Sequence, residues 1–148
     1  MGGCCGIIFL AFPRQCWTVG RPLKWSRSEY SRCCSMRLTS DCDKIILGCN
    51  RCYVVSFSID LCVPRRDCKC VSISVQTFNN HKKDDKFIFR MPIVYERVPF
   101  TASASGIFIS TCNCSDELML TLLSPSSVKV NQASIHIMEM RGFGSPDE

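Results

Sequence analysis

Cysteine dominates the chemistry of this sequence, with 13 among 148 residues. The densest region begins at Cys33, and within it Cys49 and Cys52 form a C-x2-C pair that precedes Cys68 and Cys70 by fifteen intervening residues. This spacing is close to the C-x2-C-x15–20-C-x2-C pattern of zinc sites, with a second pair that is one residue shorter. Because four thiolates can hold zinc tetrahedrally at about 2.3 Å, we predict one structural zinc on Cys49, Cys52, Cys68 and Cys70.

The same thiols would be crosslinked in an exported chain, since disulfides persist in oxidising compartments. The C-x-C pairs Cys68/Cys70 and Cys112/Cys114 resemble the paired thiols of cystine-knot ligands, in spacing alone. Asn113 begins an Asn-Cys-Ser sequon, which predicts glycosylation of an exported chain. An odd number of cysteines leaves at least one thiol unpaired or shared with a second chain. A third interpretation is that the thiols are free.

The first residues carry a pattern typical of dual acylation. In that pattern Gly2 takes a myristoyl chain once the initiator methionine is removed, and Cys4 and Cys5 take palmitoyl chains. Gly6 departs from the pattern, because serine or threonine is preferred there. The apolar run over residues 7–12 is shorter than the roughly 20 residues that span a bilayer, and it lacks the basic flank of a secretory signal. We therefore predict lipidation at Gly2, Cys4 and Cys5.

The whole net charge of +5 lies in residues 1–40, where six basic side chains accompany Glu29 alone. Basic side chains near an anionic membrane contribute about 1 kcal/mol each to binding. The segment also holds apolar side chains suited to the membrane interface, namely Ile7, Ile8, Phe9, Leu10, Trp17 and Trp25. We predict a flexible basic arm against an anionic membrane surface. The alternatives are a solvated arm and, for residues 7–12, a strand of the core.

No catalytic function is predicted. His81 lies in a charged turn and His136 alternates with isoleucines, so neither indicates a nucleophile–base pair. A phosphate-binding glycine loop is missing from the sequence, and the C-x2-C pair lacks the βαβ context of thioredoxin-like enzymes. The sequence pI of about 8.6 is below the value above 9 that is typical of nucleic-acid-binding domains. Nucleic acid is therefore not an expected partner, and no small-molecule substrate is identified.

The elements that must position these groups are mainly strands. Alanine (4 residues) and glutamate (5 residues), both strong helix formers, are rare here. Residues 71–77 alternate strictly between apolar and polar side chains, and a polar turn leads into residues 87–91, so the stretch 71–91 is expected to be a β-hairpin. Further strands are predicted at 53–59, 93–98 and 106–111, with one or two between 128 and 137, whereas 117–123 fits either a short helix or a buried strand.

These patterns predict a small, mainly β single domain of antiparallel strands with a cysteine-rich N-terminal half. The expected divisions are an arm over 1–40, a cysteine-rich β domain over 41–140 and a flexible tail over 141–148. The favoured hypothesis is a non-enzymatic interaction protein that is cytoplasmic, membrane-peripheral through acylation and zinc-stabilised, and that binds an anionic membrane or another protein. One alternative is an exported, disulfide-linked, ligand-like module. The other is a reading frame with no evolved function.

Overall fold

The computed structural model describes residues 5–31, 36–48, 50–79, 81–110 and 116–140, with the backbone alone for residues 5 and 27–31. The described residues form eleven strands and no helix. In chain order the strands are β1 (Cys5–Ala11), β2 (Gln15–Thr18), β3 (Trp25–Ser31), β4 (Arg37–Leu38), β5 (Ile45–Ile46), β6 (Arg51–Cys62), β7 (Cys70–Asn79), β8 (Lys82–Pro92), β9 (Phe100–Ser110), β10 (Glu117–Ser124) and β11 (Ser127–Met140).

Two antiparallel sheets make up the structure. The first sheet has the strand order β3-β1-β11-β6-β9, with β2 also paired to β11, and the second has the order β4-β5-β10-β7-β8. Consecutive strands β6 and β7 lie in different sheets, as do β9 and β10, so the chain crosses repeatedly between the two layers. The prediction of a small, mainly β domain with antiparallel strands is confirmed.

The core lies between the inner faces of the two sheets. Side chains of a strand point alternately to its two faces, and in β6 every second residue from Tyr53 to Leu61 is at most 3% exposed. The second sheet contributes alternating residues that are completely buried, namely Val71, Ile73, Val75, Leu118, Leu120 and Leu122. Burial of each such aliphatic side chain stabilises the fold by roughly 1.5–3 kcal/mol.

Residues 5–31 belong to this sandwich, which corrects the prediction of a flexible arm. Strand β1 lies between β3 and β11, where its register with β11 runs from Cys5 opposite Glu139 to Leu10 opposite Ser134. The alternative interpretation, that residues 7–12 form a strand of the core, is confirmed for residues 7–11. Four of the side chains expected at a membrane interface are instead at most 2% exposed, namely Ile7, Phe9, Trp17 and Trp25. The interior of the sandwich removes nearly all of their apolar surface from water.

The other strand predictions have mixed outcomes. The hairpin over 71–91 is confirmed as β7 and β8, residues 117–123 are a strand, and residues 128–137 lie in one strand, β11. The strand predicted at 106–111 begins earlier, at Phe100, and residue 111 lies outside the described residues. The strand predicted at 93–98 is wrong, because this segment is a loop whose Ile93 and Arg97 amides bond to carbonyls of the loop after β6. The predicted tail over 141–148 lies outside the described residues.

Replacing Phe9 by alanine is expected to lower the free energy of unfolding by about 3–5 kcal/mol, because the ring is 2% exposed in the core. Phe12→Ala is the matched control, since that ring is 43% exposed, and it should change the free energy by less than about 1 kcal/mol. Urea unfolding followed by tryptophan fluorescence measures both variants. Equal effects of the two substitutions would show that β1 does not belong to the core.

Candidate functional site

The structure does not bring together the cysteines predicted to hold zinc. Cys52 lies at the start of β6 and Cys62 at its end, which places them on the order of 30 Å apart along an extended strand. Cys68 and Cys70 follow Cys62 at the far end, and Cys49 lies outside the described residues. Within the described part of the chain, no group of three or more His, Cys, Asp or Glu side chains is placed to hold a metal ion. The spacing in sequence therefore does not become a four-cysteine site in space.

The six cysteines with described side chains are free thiols, namely Cys16, Cys42, Cys52, Cys62, Cys68 and Cys70. Cys16 and Cys62 face Lys129 from opposite sides of β11. Two strand spacings, about 10 Å, separate them, which is more than the 7 Å or so between Cα atoms that a disulfide can bridge.

The predicted modification sites fall at positions that the structure leaves untested. Gly2, Cys4 and Asn113 lie outside the described residues, and Cys5 is described by its backbone alone. Lipidation and glycosylation therefore stay predictions. Among the described residues, no helix has the length and apolar character needed to cross a membrane.

The outer face of the first sheet carries a surface that changes from apolar to polar along the strands. Residues directly opposite each other on antiparallel strands point to the same face, so the register of β1, β11, β6 and β9 arranges this surface in rows. From one end to the other, the rows are Met140–Cys52–Ile109, Gly6–Met138–Val54–Ile107, Ile8–His136–Ser56–Ser105, Leu10–Ser134–Ser58–Ser103 and Gln132–Asp60–Thr101.

The first two of these rows, called the apolar half below, contain no charged side chain. Ile107 is 67% exposed and Ile109 is 52% exposed. Ile107 lies opposite half-buried Val54, which lies opposite half-buried Met138 on its other side. In contrast, six of the eleven residues of β8 on the second sheet are charged. Cys52 in the first row is 4% exposed, so Ile107 and Ile109 contribute most of the exposed surface. Exposed apolar side chains grouped on one face are typical of protein–protein contact sites.

Three connections at one end of the sandwich form a second surface, called the loop platform below. It consists of the loops over residues 63–69 and 93–99 and the turn over 124–127. The amide of Arg66 donates to a Glu96 carboxylate oxygen at 2.8 Å, which ties the first loop to the second. The Ser126 hydroxyl donates to a carboxylate oxygen of Asp67 at 2.5 Å, and this bond lowers the pKa of Asp67. These bonds fix the three connections to one another.

The loop platform exposes apolar and basic side chains together. Val94 is 63% exposed, Tyr95 67% and Val98 48%. A hollow of about 430 Å³ lies in the platform, and its lining includes Pro64, Arg65, Glu96, Arg97, Ser126 and Ser127. Glu96 and Asp67 are held by hydrogen bonds between the connections. The charge of Arg65 also lowers the pKa of Asp67, whereas Arg97 forms no ion pair with any described residue. The platform therefore offers cationic groups beside exposed apolar ones.

Sequence reasoning concentrated on the thiols and missed both surfaces. One signal for the apolar half was present in the run Gly106-Ile-Phe-Ile109, where neighbouring positions are all apolar or small. A strand that is apolar at consecutive positions is apolar on both faces. One face of this strand packs in the core through Phe108, and the other is left exposed.

Neither the profile of a known protein family nor a curated protein sequence matches the chain. It is similar to the structure of Eiger TNF from S. frugiperda, at 10% identity, with 98% of each chain covered and a TM-score of 0.75. It is similar to the globular domain of zebrafish complement 1qA, at 7% identity and a TM-score of 0.64, over 93% of this chain and 97% of that one. Murine APRIL is also similar, at 7% identity and a TM-score of 0.65, over 91% of this chain and 99% of that one. The chain thus has a TNF-like β-sandwich fold of the jelly-roll type.

Proposed function

We propose that this protein is a non-enzymatic, ligand-like binding module that self-associates through the apolar half of its first sheet and presents its loop platform to a protein partner. The observation that carries the proposal is the uncharged apolar half, in which Ile107 and Ile109 are more than half exposed. The similarity in fold to TNF, complement 1qA and APRIL structures along nearly the whole chain supports a ligand-like role.

The apolar half suits a second copy of the same chain. Leaving apolar surface in water costs about 25 cal/mol per Å², and a second copy is always present at the same concentration. In a two-fold contact each residue of the surface meets a residue of the same surface on the other copy, and this half contains no charged side chain that such a contact would have to bury. Interfaces between permanently associated copies are also more apolar than transient ones. A closed homo-oligomer is therefore the expected assembly.

This proposal adopts the ligand-like alternative without its crosslinks. The six described cysteines with known side-chain placement are free, so the fold does not depend on disulfides among them. The proposal also departs from the membrane-peripheral hypothesis, because four side chains expected to contact lipid are in the core. Lipidation at Gly2, Cys4 and Cys5 and glycosylation at Asn113 remain separate predictions.

The side chains of the loop platform fit a protein partner whose contacting segment carries both acidic and apolar side chains. Tyrosine and arginine are the residue types that most often dominate binding energy at protein interfaces. Tyr95 provides an exposed ring, and the guanidinium groups of Arg65 and Arg97 flank a hollow that also exposes serine hydroxyls. Arginine binds carboxylates through two parallel hydrogen bonds. Since the loops are tied together before binding, little conformational freedom would be lost.

Ile107→Asp is expected to convert the assembly to monomers, because it would place a charge inside the buried apolar contact. Light scattering coupled to size-exclusion chromatography measures the mass. Ile88→Asp is the matched control, since Ile88 is 41% exposed on the second sheet, and it should leave the mass unchanged. A wild-type protein that stays monomeric at all concentrations, or an oligomer indifferent to Ile107→Asp, contradicts self-association through this face.

Selection of random displayed peptides on the protein is expected to enrich sequences with aspartate or glutamate next to apolar residues. Reversing charge in the double variant Arg65→Glu/Arg97→Glu should weaken the selected peptides at least about tenfold, as both carboxylate-binding groups are lost. The double variant Lys82→Glu/Lys83→Glu is the matched control. It makes the same change of net charge at exposed positions of β8, away from the loop platform. Enrichment of uncharged peptides, or equal losses in the two double variants, would refute this partner chemistry.

A further inference from the structure

A groove opens on the outer face of the first sheet where β11 changes partners. Strands β1 and β2 pair with the same edge of β11, β1 opposite residues 134–139 and β2 opposite residues 127–130. Between them the register of β11 with β6 shifts between Val130 and Gln132, which is a β-bulge. The resulting groove has a volume of about 680 Å³, within the usual range of roughly 300–1,000 Å³ for small-molecule sites.

The walls of the groove combine an apolar side with hydroxyl groups. Leu10 and Pro13 form part of the apolar side. Ser58 and Ser134 lie directly opposite each other on β6 and β11, so both hydroxyls point into the same part of the groove. Among the residues whose side chains are described, the lining contains one charged side chain, Asp60, and no basic one.

Asp60 is held in place by neutral donors. The Thr101 hydroxyl donates to its Oδ1 at 2.7 Å, and the Gln132 amide donates to its Oδ2 at 2.7 Å. These two hydrogen bonds lower the pKa of Asp60. The carboxylate therefore stays charged to a lower pH than an ordinary aspartate does. Each carboxylate oxygen accepts one of these bonds and has a second lone pair. No described cation forms an ion pair with this carboxylate.

We propose that this groove binds a small organic ammonium ligand with an apolar body. The ammonium group donates to Asp60 and to the hydroxyl oxygens of Ser58 and Ser134, while the apolar body contacts Leu10 and Pro13. An ammonium group has three donors and no acceptor, which matches a lining that offers a fixed carboxylate and adaptable hydroxyls. The proposal does not depend on self-association, because Ser58, Asp60 and Ser134 lie in the polar rows of the face and not in the apolar half.

Other ligand classes fit the lining less well. An anion would be repelled by Asp60, since the described lining residues include no basic side chain to compensate. A divalent metal ion takes several oxygen or nitrogen ligands, and the described residues contain no metal-holding group of three acidic, histidine or cysteine side chains. A neutral alcohol would make the apolar contacts but would not gain the attraction between opposite charges.

Titration of the isotope-labelled full chain with phenethylamine, followed by amide chemical shifts, tests the proposal. The expected result is saturable shifts at Ser58, Asp60, Gln132 and Ser134. Asp60→Asn should weaken binding at least about tenfold, because it removes the charge and leaves the side-chain shape. Ser134→Leu, which fills the groove and keeps the carboxylate, should weaken binding as well. Asp84→Asn, an exposed carboxylate on β8, should have no effect.

Phenethyl alcohol and calcium ions are the competing probes. Binding of the alcohol as tight as that of the amine would overturn the proposal, because the charge would then contribute nothing. Shifts at the same residues with calcium alone, or affinity for the amine that is unchanged in Asp60→Asn, would overturn it too. Since both groups stay charged, the amine affinity should be the same at about pH 5 and about pH 7.

Discussion

The pairing of β11 with β1 and β2 on one edge and with β6 on the other is the constraint on which the rest of the structure depends. This fourteen-residue strand fixes the register of the whole first sheet. A slip of one residue in such a pairing moves every side chain to the opposite face. The observed register directs Ile135 and Ile137 into the core. It thereby also determines which side chains form the outer surface.

Both proposed contact regions on the first sheet follow from this register. The rows at one end bring together apolar side chains from β11, β6 and β9, and the rows at the other end bring together serines and a carboxylate. The bulge between Val130 and Gln132 separates the two partner strands of β11 and opens the groove. Self-association and ligand binding are therefore assigned to different halves of one sheet, while the loop platform lies at the end of the sandwich.

The local part of this architecture was predictable from sequence, and the long-range part was not. Strict alternation in residues 71–77 and the following polar turn identify the β7–β8 hairpin, since both signals are local. The burial of Trp17 depends on pairing with Val128, more than one hundred positions away, which no local pattern shows. The cysteine spacing does not show which thiols lie close together in space, for a related reason. The twelve-residue strand β6 places Cys52 and Cys62 at opposite ends of the sheet.

Hydroxyl-radical footprinting of methionines at increasing protein concentration tests most directly whether the apolar half is a contact between copies. Met138 and Met140 lie in that half, and Met91, also half-buried, lies on β8 of the second sheet and serves as the internal reference. We predict that the oxidation rates of Met138 and Met140 fall as the protein associates, while the rate of Met91 stays constant. Rates that are independent of concentration at all three methionines would contradict the account.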